Sequence, residues 1–229
     1  MAVVQSKNRD QSIDIVAGIM IIYMILYHIY QWSHIKYLLV DYLSHFLFMF
    51  MTWFYFKAGM FSHKEFCKDL VNDSSKRLLK PYFIFSLIGH VFWCIQQSII
   101  AETSWKTWFY EPFSQIFRNS SVEGNLPLWF LLSLFIVKML HSLFLKFKIS
   151  DVWLRIVSIF VSFMLVYIMR EKRIPLIFIQ VSLGTIFFSV GHFFKEIQYR
   201  RFQIILLSQC FFCFSLVTSS FVENQIYLL

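Results

Sequence analysis

The sequence predicts an all-α fold: a polytopic transmembrane helical bundle of about seven spans, with the N-terminus in the cytoplasm. Three observations predict it. Hydrophobic residues make up 58% of the 229 positions and charged residues only 15%, against about 25% charge in a soluble domain. Mean hydropathy is +0.61. The apolar residues fall in continuous runs near the roughly 20-residue length that crosses a bilayer, not in the alternating pattern of a β-barrel.

The runs lie at about 12–31, 38–61, 82–101, 128–147, 153–169, 176–194 and 203–222. The first starts near Ile13 and passes Tyr30 with no small-residue cleavage site after it. The chain is therefore expected to insert through its own first span. The second is long enough to tilt. Pro81 stands at the start of the third and suits its first helical turn, because its missing N–H has no intrahelical partner there. The fifth, from Trp153 to Met169, is the shortest. No repeat or linker divides the chain, so residues 1–229 read as one membrane domain.

Loop charge sets the orientation. With the N-terminus inside, thirteen Lys and Arg fall on the cytoplasmic side: Lys7, Arg9, Lys64, Lys68, Lys76, Arg77, Lys80, Lys146, Lys148, Arg155, Lys195, Arg200 and Arg201. Six fall outside, three of them at Arg170, Lys172 and Arg173. This topology accounts for the net charge of +8, so the basicity gives no reason to expect nucleic acid. The 102–127 connection is predicted outside. Its Trp105, Trp108, Phe109, Tyr110 and Phe113 predict a segment lying at the interface.

Cys210 and Cys213 have CxxC spacing, but no further ligands lie in that segment, so no metal is predicted. Ionisable residues inside spans cost about 2.5–3.5 kcal/mol each at the centre, and they are where function is sought. Asp14 opens span one, in a position that also favours the helix dipole. His28 lies fourteen residues on, about 21 Å along a helix. A neutral imidazole there suits a general base. Lys138 and His141 lie one turn apart in one span, an arrangement that would form a polar seam. Lys57 reads as snorkelling, and His45, His90 and His192 are further intramembrane candidates. Arg77 and Lys80 precede span three, as topology anchors or as a phosphate-binding end.

Taken in order, these segments resemble the acyltransferase family 3 membrane proteins, closest to the sugar O-acetylase-type members. Span one carries Asp14, Gly18 and a run ending at His28. FMTWFYFKAGMF carries Gly59, and Arg77-Leu78-Leu79-Lys80-Pro81-Tyr82 matches a basic-Leu-x-x-Pro-Tyr element. Leu128-Trp129-Phe130-Leu131 and the span from Gly184 to Gly191 follow, with Lys195 after it. The resemblance covers about residues 9–196. It implies transfer of an acyl group, usually acetyl, from cytoplasmic acyl-CoA as co-substrate to a carbohydrate or lipid-linked glycan hydroxyl. The membrane would be the cytoplasmic membrane of a bacterium. His28 would be the base, Asp14 would orient polar groups, Arg77 and Lys80 would hold the phosphates, and Trp129 would line the cavity.

The sequence also departs from the family. Ala17 replaces a basic residue, Phe50-Met51-Thr52 stands where a second His is expected, and Ala58 replaces a Ser. Seven spans are fewer than the family's usual ten or so, as expected of a shortened member. An inactive family member acting as a membrane partner, and a small-molecule or glycan transporter using Lys138 and His141, are the alternatives.

Overall fold

The computed structural model describes residues 11–32, 50–62, 68–100, 104–147 and 175–196, with scattered positions between 153 and 168. The described residues are all-helical, without strands. In order the helices are α1 (Gln11–Trp32), α2 (Phe50–Met60), α3 (Lys68–Ser74), α4 (Lys80–Ile100), α5 (Trp105–Phe109), α6 (Glu111–Asn119), α7 (Trp129–Lys146) and α8 (Leu176–Glu196). A π-helical turn, Ser75–Leu79, joins α3 to α4, and a 3-10 turn, Leu126–Leu128, leads into α7. Among the described residues, four stretches are long and apolar enough to cross a membrane: Ile13–Tyr30, Lys68–Ile100, Leu126–Lys146 and Leu176–Phe194. The span expected at 203–222 and the first part of 38–61 lie outside the described residues.

The exposure pattern is that of helices sorted for lipid. On α1, Ile15, Ile19, Ile22, Leu26 and Ile29 are exposed, whereas Ile13 and Ala17 are buried. On α4, Leu87, Phe92, Ile95 and Ile99 are exposed, and the buried positions are Tyr82, Ser86, His90 and Cys94, each four residues from the last. Small and polar side chains pack inward and large apolar ones face out, the reverse of a soluble helix. Trp153, Ile156, Val157, Phe160, Met164 and Ile168 are helical positions exposed at the same kind of spacing.

Lys68–Ile100 forms one continuous helical stretch of 33 residues. Hydropathy reads the Lys- and Asp-rich segment 68–80 as a loop. The backbone instead stays helical through it by widening to the π turn, with Lys80 N–H bonded to Ser75 O. Pro81 supplies the reason. Its ring removes one donor and crowds the preceding turn, and a π turn directly before it relieves that crowding.

The chain divides into two compact units, 1–54 with 199–229, and 55–198. The 104–128 connection belongs to the second, and it folds back along α4. His90 Nε2 lies 3.1 Å from Trp108 O, and Asn125 Nδ2 donates to Phe85 O at 3.3 Å. Tyr82 OH donates to Ser120 O at 3.0 Å, and Ser120 Oγ donates to Gln180 Oε1 at 2.9 Å. Gly124 takes a positive φ of 77° as its backbone passes Gly89. A side chain there would be strained by that conformation and would meet Trp93 Cβ at 2.9 Å. Loop counting places Tyr82 towards the inner face and the 102–127 connection on the outer one. The hydrogen bonds bring them to one level.

Candidate functional site

In the first unit the candidate base sits on the packed side of α1. His28 is half-buried, and its Nε2 is buried with no hydrogen-bond partner among the described residues. Tyr27, beside it, meets the His28 ring edge-on at 5.7 Å. Tyr23 and Tyr27 both pack on Phe50, at 5.9 and 6.0 Å between ring centroids. Phe50 is 1% exposed. Where the resemblance expects a second histidine, this chain has a phenyl ring held by two tyrosines. Ala17, in the expected basic position, is buried as well. Both departures are packing residues. Asp14 lies in the first turn of α1, half-buried on the side of Ile13 and Ala17.

In the second unit α2, α7 and α8 meet through small residues. A Cβ on Gly59 would lie 2.8 Å from the Phe188 carbonyl carbon, and one on Gly191 would lie 2.9 Å from that of Phe56. The two backbones therefore touch at a reciprocal pair of glycines, as tight membrane helix crossings do. The Tyr55 ring fills the space over Gly184, its Cε1 2.6 Å from where a Cβ would be. Tyr55 OH is hydrogen-bonded to Ser133 Oγ at 2.5 Å, and its ring meets Phe130 at 4.9 Å. Tyr55→Phe removes that bond without changing shape. It should lower stability by about 1 kcal/mol, read as a small drop in the melting temperature of the detergent-solubilised protein.

Further along the same seam His141 is wholly buried, its ring 4.6 Å from His192 and 4.9 Å from Phe188. His192 is also buried. The structure thus pairs His141 with a histidine 51 residues away; Lys138, its expected neighbour in the seam, is half-buried on the neighbouring turn. The sequence marks His192 only as one more intramembrane candidate. Gly191 before it was the available sign that this turn is pressed against a neighbour. Among the described residues no three His, Cys, Asp or Glu side chains are grouped to hold a metal ion.

Arg77 and Lys80 are exposed at the π turn, with Lys76 beside them, and the turn packs against α7. Trp129, the first residue of α7, is half-buried and meets the Phe130 ring at 6.1 Å. The structure therefore places Arg77, Lys80, Trp129, Lys138 and His141 in one compact unit, and Asp14 and His28 in the other. Exposed cations beside a helix crossing can bind an anion, and a buried imidazole with an open nitrogen can take a proton. No family model, curated protein or solved structure matches the chain.

Proposed function

We propose that the chain is an integral-membrane acyltransferase of the family 3 type, with seven spans and a cytoplasmic N-terminus, in the cytoplasmic membrane of a bacterium. It transfers an acyl group, most simply acetyl, from acyl-CoA to a hydroxyl of a surface or lipid-linked carbohydrate. The observation that carries this reading is His28. It occupies the histidine place of the resemblance, and its buried Nε2 has no hydrogen-bond partner among the described residues. Four further motif elements, at Gly59, Arg77–Tyr82, Trp129 and Gly184–Gly191, lie within one compact unit.

The chemistry is acyl transfer. His28 Nε2 takes the proton of the acceptor hydroxyl as its oxygen attacks the thioester carbonyl. The carbon–sulfur bond then breaks, and the proton passes to the leaving thiolate. Arg77 and Lys80 hold the phosphates of the co-substrate by charge, and Trp129 lines the acceptor path. Mass spectrometry of surface glycans from cells with and without the protein tests this. An acetyl-sized gain of mass is expected only with the protein, and identical spectra would reject the reading.

Phe50 favours a second reading. A phenyl packed where a histidine is expected fits an inactive member serving as a membrane partner. Acetylation by the purified protein alone, given acetyl-CoA and an acceptor glycan, excludes it.

A further inference from the structure

We propose that residues 104–125 form a re-entrant hairpin within the bilayer, with one aromatic stripe facing the acyl chains of the lipids. The proposal rests on α4 lying in the membrane and not on acyl transfer.

Register is the first argument. Trp108 lies at the level of His90, Asn125 at that of Phe85, and Ser120 at that of Tyr82. The rest of the α4 surface over those residues is exposed and apolar, and includes Phe83, Phe85, Leu87 and Phe92. A segment packed beside Tyr82–His90 shares the depth of that face.

The surface of the segment agrees. Trp105, Phe109, Phe113 and Phe117 recur every four residues through α5 and α6, with Tyr110 beside them, and each is at least 66% exposed. Such a stripe in water would be an aggregation surface. It lies at the level of exposed apolar residues of α4, so acyl chains are its partner. Several polar groups are satisfied within the segment: Thr107 Oγ1 donates to Glu111 Oε1 at 3.4 Å, and Glu123 N donates to Gln115 Oε1 at 2.8 Å.

Backbone satisfaction is the third argument, because irregular backbone at membrane depth must be bonded within the protein. Ser104 Oγ caps α5 by accepting from Lys106 N at 3.2 Å. Ser120 N closes α6 onto Ile116 O at 2.9 Å, and Ser120 O accepts from Tyr82. Within α5 and α6, the exposed cations Lys106 and Arg118 stand near the two ends, where long side chains reach the headgroups.

The test uses nitroxide spin labels on Phe113→Cys, Phe117→Cys and Leu87→Cys, in a background with the four native cysteines replaced by alanine. The protein is reconstituted in phosphatidylethanolamine–phosphatidylglycerol vesicles. Power saturation with oxygen and with a water-soluble nickel chelate gives the depth of each label. All three labels are expected to be open to oxygen and closed to nickel, with Phe113 within one helical turn, about 5 Å, of Leu87. Nickel access at both Phe113 and Phe117 with Leu87 protected overturns the hairpin. Nickel access at Leu87 overturns both the hairpin and the reading of α4 as a span. Two labels on exposed ring positions keep the test independent of one poorly folding variant.

Discussion

Replacing Gly59 by valine should leave no folded protein, and Gly59→Ala should lower stability by about 2 kcal/mol, within the range for overpacked sites. The same holds for Gly191. At each position the obstacle is a backbone carbonyl of the facing helix, with a second backbone group, His192 N or Met60 N, at 3.1 Å. A side chain in the way could change rotamer. Two helical backbones can only separate, and separation would loosen the contacts of Tyr55 and of the His141–His192 pair along the same seam. Alanine is favoured over glycine in a helix by about 1 kcal/mol, which offsets part of the clash and makes the alanine variants the informative ones. Gly18→Ala is the control. No described residue lies within 4 Å of a Cβ there, so it should keep or raise the melting temperature. Thermal melting in detergent checks the series. At about 2–4 °C per kcal/mol for a chain of this size, Gly59→Ala should melt some 4–8 °C lower. The double variant Gly59→Ala with Gly191→Ala should cost less than the sum, because both open one crossing. Equal melting of Gly59→Ala and Gly18→Ala would refute the close approach.

How far the sequence reveals this fold follows from what hydropathy measures. The runs at 12–31, 82–101, 128–147 and 176–194 are helices within a few residues of those bounds, because continuous apolar composition is a property of the segment alone. Segment 68–80 was not legible as helix. It is polar, and its helicity depends on continuity through the π turn. The helices at 105–119 were legible as an aromatic segment but not as a hairpin on α4, since that arrangement depends on partners 18 to 40 residues away. The histidines show the same division. Membrane cost singles out His28, His90, His141 and His192, one residue at a time. The contact of His141 with His192 comes from α7 and α8 lying side by side, and the glycines that permit a close approach signal it only indirectly. Ala17 and Phe50 were legible as departures from the resemblance, and the structure adds the physical reason: both are buried packing residues, one of them held by Tyr23 and Tyr27.

His28→Ala should lower acyl transfer by two to four orders of magnitude, the usual worth of a positioned general base, while leaving melting nearly unchanged. The second half of this expectation follows from the structure. No described residue bonds to His28 Nε2, so its removal breaks no hydrogen bond seen there. His28→Gln keeps most of the side-chain volume but supplies no titrating nitrogen, so it should be as inactive as alanine. Arg77→Ala and Lys80→Ala should behave differently. Both side chains are exposed, and phosphate contacts act equally on the bound substrate and the transition state. Their loss should raise KM for acyl-CoA with kcat little changed, and added salt should narrow the difference from the parent as the charges are screened. The measurement is acetyl transfer by the purified protein in vesicles, at varied acetyl-CoA and two salt concentrations, with melting of each variant alongside. Full activity in a stably folded His28→Ala removes the histidine from the chemistry. If Arg77→Ala and Lys80→Ala lower kcat instead of raising KM, the basic end acts on the reacting groups or on the fold and not on the phosphates.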